Sequence, residues 1–117
     1  MKLFSNVFII ATVSISCLYM PNSYGFNIAQ NICEYVAVDE KNRLRKLLKS
    51  NRLKLRDVFG DVLCNGDNIL IFAAKNNANE VGELLIKKLP KDTIASELEN
   101  LATLSPELAE LGQARVN

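Results

Sequence analysis

The stretch Ile32–Lys88 constrains this chain most, because it carries one apolar pattern twice. Shifted by 37 positions, Ile32, Cys33, Tyr35, Val36, Ala37, Asn42, Leu44, Leu47 and Leu48 fall on Ile69, Leu70, Phe72, Ala73, Ala74, Asn79, Val81, Leu84 and Leu85. Every matched position is apolar except the Asn pair. A pattern shared in this way describes a common buried surface, and a repeated supersecondary unit marks stacked helical hairpins. The expectation is a mainly α fold: two stacked helical hairpins at an offset of 37, a short extended or β-hairpin connection, and C-terminal helices. That is architecture, and any chemistry has to be sought elsewhere.

The N-terminus reads as an export signal. Lys2 supplies a positive start, Val7–Tyr19 is a nearly continuous apolar run, and Pro21-Asn22-Ser23-Tyr24-Gly25 ends it with small residues at Ser23 and Gly25. These are the three regions of a cleaved secretory signal, with the mature chain beginning at Phe26. A retained anchor is the alternative, but the run is shorter than the roughly 20 apolar residues that span a bilayer. A lipoprotein site at Cys17 lacks a Leu three residues upstream. The chain then divides into a signal peptide (1–25), a double-hairpin domain (26–91) and an acidic helical or partly disordered tail (92–117), and the expected location is the periplasm.

Lys2 is the only charged residue in 1–25, so the other 92 residues balance 13 basic against 13 acidic side chains. Global charge therefore predicts no partner. Its distribution is uneven: Lys41, Arg43, Arg45, Lys46, Lys49, Arg52, Lys54 and Arg56 lie within 16 residues that hold no acid, whereas the tail carries Asp92, Glu97, Glu99, Glu107 and Glu110 against Arg115 alone. Cys33 and Cys64 remain after cleavage. An even count in an exported chain points to a disulfide, which on the chain-entropy model stabilises by about 3–4 kcal/mol for a loop of about 30 residues. Two buried thiols packing as small hydrophobes are the alternative.

Periodicity places the elements. Ile28, Ala29, Ile32, Cys33, Val36 and Ala37 give the stripe of a first helix with Asn27 as its cap, and Leu44, Leu47 and Leu48 give a second, closed by Ser50-Asn51. Leu53 and Leu55 alternating with Lys54 and Arg56, with a break at Gly60-Asp61, suggest the short hairpin or extended connection. Asn65-Gly66-Asp67-Asn68 signals a turn and a helix start. Ile69–Lys75 and Asn79–Leu89 form the second hairpin, stopped by Pro90; Asp92 and Ser105-Pro106-Glu107 are candidate starts of two tail helices.

Two resemblances follow from these residues. The segment from Gly66 to Leu85 resembles an ankyrin repeat through Gly66, Leu70, Ala73, Ala74, Val81, Leu84 and Leu85. It departs from that pattern at Asn68-Ile69-Leu70-Ile71, where ankyrins carry Thr-Pro-Leu-His. Its spacing is 37 instead of about 33, and two copies fall short of an array. The blocks Asn42–Arg56, Cys64-Asn65-Gly66, Phe72-Ala73 and Asn77–Val81 make about Ala29–Lys88 similar to a family of small exported proteins of Gram-negative bacteria catalogued as a domain of unknown function. That resemblance implies an envelope location and a compact domain with Cys33 and Cys64, and it carries no activity.

The inventory for catalysis is thin. There is no His, no Gly-rich phosphate loop, no nucleophile elbow and no paired-carboxylate segment, so no enzyme and no cofactor is expected. Two Cys without further ligands do not make a zinc site, and Asp57, Asp61 and Asp67 lack the order of a calcium loop. The basic run holds the functional content: Arg43, Lys46, Lys49, Arg52, Lys54 and Arg56 form a candidate anion-binding set. The bland reading is a solvated polar helix face, or one neutralised by the acidic tail. Two functions result: a non-catalytic interaction module binding an envelope protein, or an electrostatic binder of anionic envelope lipid or polysaccharide. Nucleic acid is not expected, because the run has no interleaved aromatics.

Overall fold

The computed structural model describes residues 26–117, so the segment read as a signal peptide, 1–25, lies outside the described residues. Seven helices make up the described chain: α1 (Phe26–Ala37), α2 (Lys41–Ser50), α3 (Leu55–Asp61), α4 (Ile69–Lys75), α5 (Asn79–Lys88), α6 (Lys91–Leu104) and α7 (Pro106–Val116). The fold is mainly α. α1 packs on α2 and α4 on α5; α1 also meets α4, and α2 meets α5. α6 and α7 pair most extensively, with α6 against α4 and α7 against α5. The core runs through all of them, from Ile32, Val36 and Leu44 to Ile69, Leu70, Leu85, Ile94, Leu101 and Leu108.

The stretch between α2 and α4 differs from the sequence expectation. Alternating Leu53 and Leu55 suggested a short hairpin or extended connection, yet Leu55–Asp61 within it forms helix α3. The reason is a longer helical pattern: Leu55, Val58, Phe59 and Val62 recur at i, i+3, i+4 and i+7, and Val58 and Val62 are buried with Leu55 and Phe59 packed against the core. Core burial of that face outweighs a four-residue alternation whose strand preference depends on its surroundings. Among the described residues β-type pairing is confined to one bridge, Cys64 with Asp67, around an Asn65-Gly66 turn with φ of 55° and 84°. Positive φ at both central residues is what the tight Asn-Gly turn requires.

The turns after α1, α2 and α4 share one construction. Glu40 N–H donates to Tyr35 O and Asp39 N–H to Val36 O; Leu53 N–H donates to Leu48 O and Arg52 N–H to Lys49 O; Ala78 N–H donates to Ala73 O and Asn77 N–H to Ala74 O. This is the Schellman closure of a helix C-terminus, and its left-handed residue is Asp39, Arg52 or Asn77 where glycine is usual. The first and third of these turns correspond at 38 positions, Asp39 to Asn77 and Glu40 to Ala78. The backbone thus repeats one residue out of the 37-residue apolar offset. The apolar pattern tolerates either register because the second copy is buried on a wide face, from Ile69 to Ile71 and from Leu84 to Ile86.

Helix starts follow local chemistry in two cases. Asn68 caps α4 by accepting from Ile71 N–H at 2.9 Å, and Ser105 caps α7 by accepting from Leu108 N–H, with Pro106 at the first helical position. Asn27 lies within α1 and Asp92 within the first turn of α6, whose N-cap is Pro90, so neither caps as expected. The last segment is ordered into α7: Gly82 of α5 and Gly112 of α7 allow the close approach, and Arg115 donates to the carbonyls of Ile86, Lys87 and Leu89 at the end of α5.

Candidate functional site

α2, α3 and α5 enclose an open groove of about 690 Å³. Its position follows from helical spacing. Asn42, Arg45, Lys46 and Lys49 lie three or four residues apart on α2 and share a face, while Leu44 and Leu48 turn to the core. The left-handed Arg52 redirects the chain so that Leu53, Lys54, Leu55 and Arg56 form the opposite wall, and Leu84 and Lys88, one turn apart on α5, close the end. Leu48 and Leu84, nearly buried, make the floor with half-buried Leu53 and Leu55.

Among the described residues six cations line this groove, Arg45, Lys46, Lys49, Lys54, Arg56 and Lys88, and no carboxylate does. The ion pairs among the described residues, Lys75–Asp67 at 2.9 Å and Lys87–Glu83 at 3.7 Å, lie elsewhere. Two of the five tail acids are engaged away from the groove: Glu97 accepts from Asn68 at 3.1 Å and Glu107 from Asn79 at 2.9 Å. Among the described residues the lining of this groove is thus cationic without a carboxylate, a concentration of positive charge that favours an anion.

The structure divides the candidate set read from sequence. Lys46, Lys49, Lys54 and Arg56 converge on the groove. Arg43 instead stands over the Tyr35 ring, 5.9 Å from its centroid, on the α1 side of α2, and Arg52 serves the turn. Arg45 and Lys88 join the site. Arg45 was legible as one of the polar residues of α2, whereas Lys88 lies 32 positions beyond Arg56 and is brought in only by packing. Cys33 of α1 and Cys64 lie at disulfide-bonding distance, with Cα atoms 5.6 Å apart, and tie α1 to the turn that precedes α4.

The exposed large apolar side chains, Val38, Leu63 and Leu111, belong to three separate segments, as single surface apolar residues commonly do. No helix among the described residues is long and apolar enough to cross a membrane.

Fold and site together define a small all-helical domain with a cysteine pair between its two halves and a cationic groove floored by leucine. The chain belongs to the family described as "Protein of unknown function (DUF3718)", which it matches over residues 32–96. The match reaches into α6, further than the sequence blocks indicated, and it includes both cysteines and every residue of the groove. No curated protein and no solved structure matches the chain.

Proposed function

We propose that this protein is a non-catalytic binding module of the bacterial envelope, exported by residues 1–25 and retained in the periplasm, whose working surface is the α2–α3–α5 groove. Of the two forms left open by the sequence, a module for an envelope protein or an electrostatic binder, the electrostatic one is favoured. The observation that carries it is the lining: six cations and no carboxylate around a recess of about 690 Å³. A merely solvated helix face needs no contribution from a second or third element, and here α2, the wall that follows it and the distant α5 all supply cations.

The test compares two sets of substitutions. Binding of inorganic polyphosphate is measured for the triple variant Arg45→Gln, Lys49→Gln, Lys88→Gln and for the control pair Arg43→Gln, Arg52→Gln. The groove variant is expected to lose tenfold or more in affinity, the control less than threefold, and affinity of the unaltered protein should fall steeply as salt rises. Per-charge losses that match between the two sets would mean diffuse surface charge and would overturn the reading, as would the absence of measurable binding.

A further inference from the structure

We infer that the occupant of the groove is a phosphate-bearing amphiphile, an anionic phospholipid whose headgroup meets the cationic rim and whose first methylenes lie on the leucine floor. This rests on the groove being the working surface, and it adds the chemical class of the ligand.

The argument is one of donors and acceptors. Arg and Lys side chains are donors without acceptor capacity, and leucine is neither. Apart from Asn42, the side chains lining the groove are therefore donor-only or apolar. Several backbone carbonyls at the helix ends beside it already accept hydrogen bonds. Leu47 O accepts from Asn51, Leu48 O from Leu53 N–H and Lys49 O from Arg52 N–H at the end of α2; Ile86, Lys87 and Leu89 O accept from Arg115 at the end of α5. An extended polypeptide carries backbone N–H groups that find no side-chain acceptor on this lining apart from Asn42, and a neutral sugar brings the six cations no charge, so neither matches the groove as a phosphate does. A phosphodiester offers acceptors alone and hydrocarbon offers neither, so the two parts of a phospholipid match the two parts of the groove. Charge-assisted hydrogen bonds from Arg and Lys to phosphate oxygens supply orientation, and contact of methylenes with Leu53 and Leu55 adds to affinity.

The experiment measures binding of the folded protein to a short-chain phosphatidylglycerol below its micellar concentration, to inorganic phosphate and to polyglutamate. Co-sedimentation with phosphatidylcholine vesicles, with and without phosphatidylglycerol, extends it to bilayers. The short-chain lipid should bind at least tenfold tighter than phosphate, and vesicles should retain the protein only when they contain phosphatidylglycerol. Leu53→Asn should remove most of the lipid's advantage while leaving phosphate binding within twofold; Leu55→Asn provides the same comparison should the first variant fail to fold by circular dichroism. Equal affinity for lipid and phosphate, or tighter binding of polyglutamate with Leu53→Asn and Leu55→Asn silent, overturns the lipid assignment while the anionic groove stands. Absence of binding to all three ligands removes both readings.

Discussion

Gly82 decides how closely α7 can approach. A Cβ at this position would lie 2.5 and 2.8 Å from the two Cδ atoms of Leu108, itself 1% exposed, so that the Leu108 side chain would have to shift within the α5–α7 contact. Overpacking of this kind costs about 1–3 kcal/mol, against about 1 kcal/mol that Ala adds over Gly in a helix. Gly82→Ala is therefore expected to destabilise by about 1 kcal/mol, read as a lower urea midpoint, and a double-mutant cycle with Leu108→Ala should show coupling of about 1 kcal/mol or more. Arg52 presents the opposite case. It holds φ of 55° in the turn after α2, where a side chain is strained. Arg52→Gly should stabilise by about 1 kcal/mol in thermal unfolding and leave anion binding little changed, since Arg52 does not line the groove. Neither effect is visible in a residue list, because Gly82 sits in an ordinary helical run and Arg52 reads as one more cation.

At the scale of elements, α5 is held at both ends by distant parts of the chain. Its own N-cap residue, Ala78, has no side-chain acceptor; Asp39, in the turn between α1 and α2, accepts from Val81 N–H at 2.8 Å and from Glu80 N–H at 3.3 Å. A carboxylate at this end also complements the helix dipole. Arg115 of α7 answers at the other end by donating to Ile86, Lys87 and Leu89. α5 contributes Leu84 and Lys88 to the groove, so these contacts position part of the binding surface. Asp39→Ala is expected to cost about 1–2 kcal/mol, the range for loss of an N-cap, whereas Asp39→Asn keeps an acceptor oxygen and should cost less; chemical denaturation with an unchanged slope would establish the difference. Periodicity located the helices, but Asp39 could be read only as a breaker, since the helix it caps begins some 40 residues later.

For the whole molecule, compartment and covalent structure belong together. Cys33 and Cys64 lie at disulfide-bonding distance between α1 and the turn before α4, and on the chain-entropy model a bond closing that loop would stabilise by about 3–4 kcal/mol. Intact mass of the protein recovered from the periplasmic fraction should correspond to a chain beginning at Phe26, two hydrogens lighter than the dithiol, and resistant to alkylation until reduced. A full-length chain with both thiols accessible would remove the envelope reading and return the cationic groove to a cytoplasmic setting.

The sequence by itself determined the helical class, the position of most helices, the cysteine pair and the presence of a dense cationic run, because each is written in local periodicity or composition. Tertiary structure decided the rest. It turned Leu55–Asp61 from part of an expected hairpin or extended connection into α3, because a core was available for Leu55, Val58, Phe59 and Val62. It set the backbone repeat at 38, a register that pairs Ala37 with Lys75 and Leu44 with Gly82 and is therefore less visible in the apolar pattern than in the hydrogen-bonded turns. It also sorted the cations, sending Arg43 to Tyr35 and Arg52 to a turn while bringing Lys88 beside Lys49 and Arg56 in one groove. Convergence of charges from separate elements is a property of packing, and no window along the chain contains it.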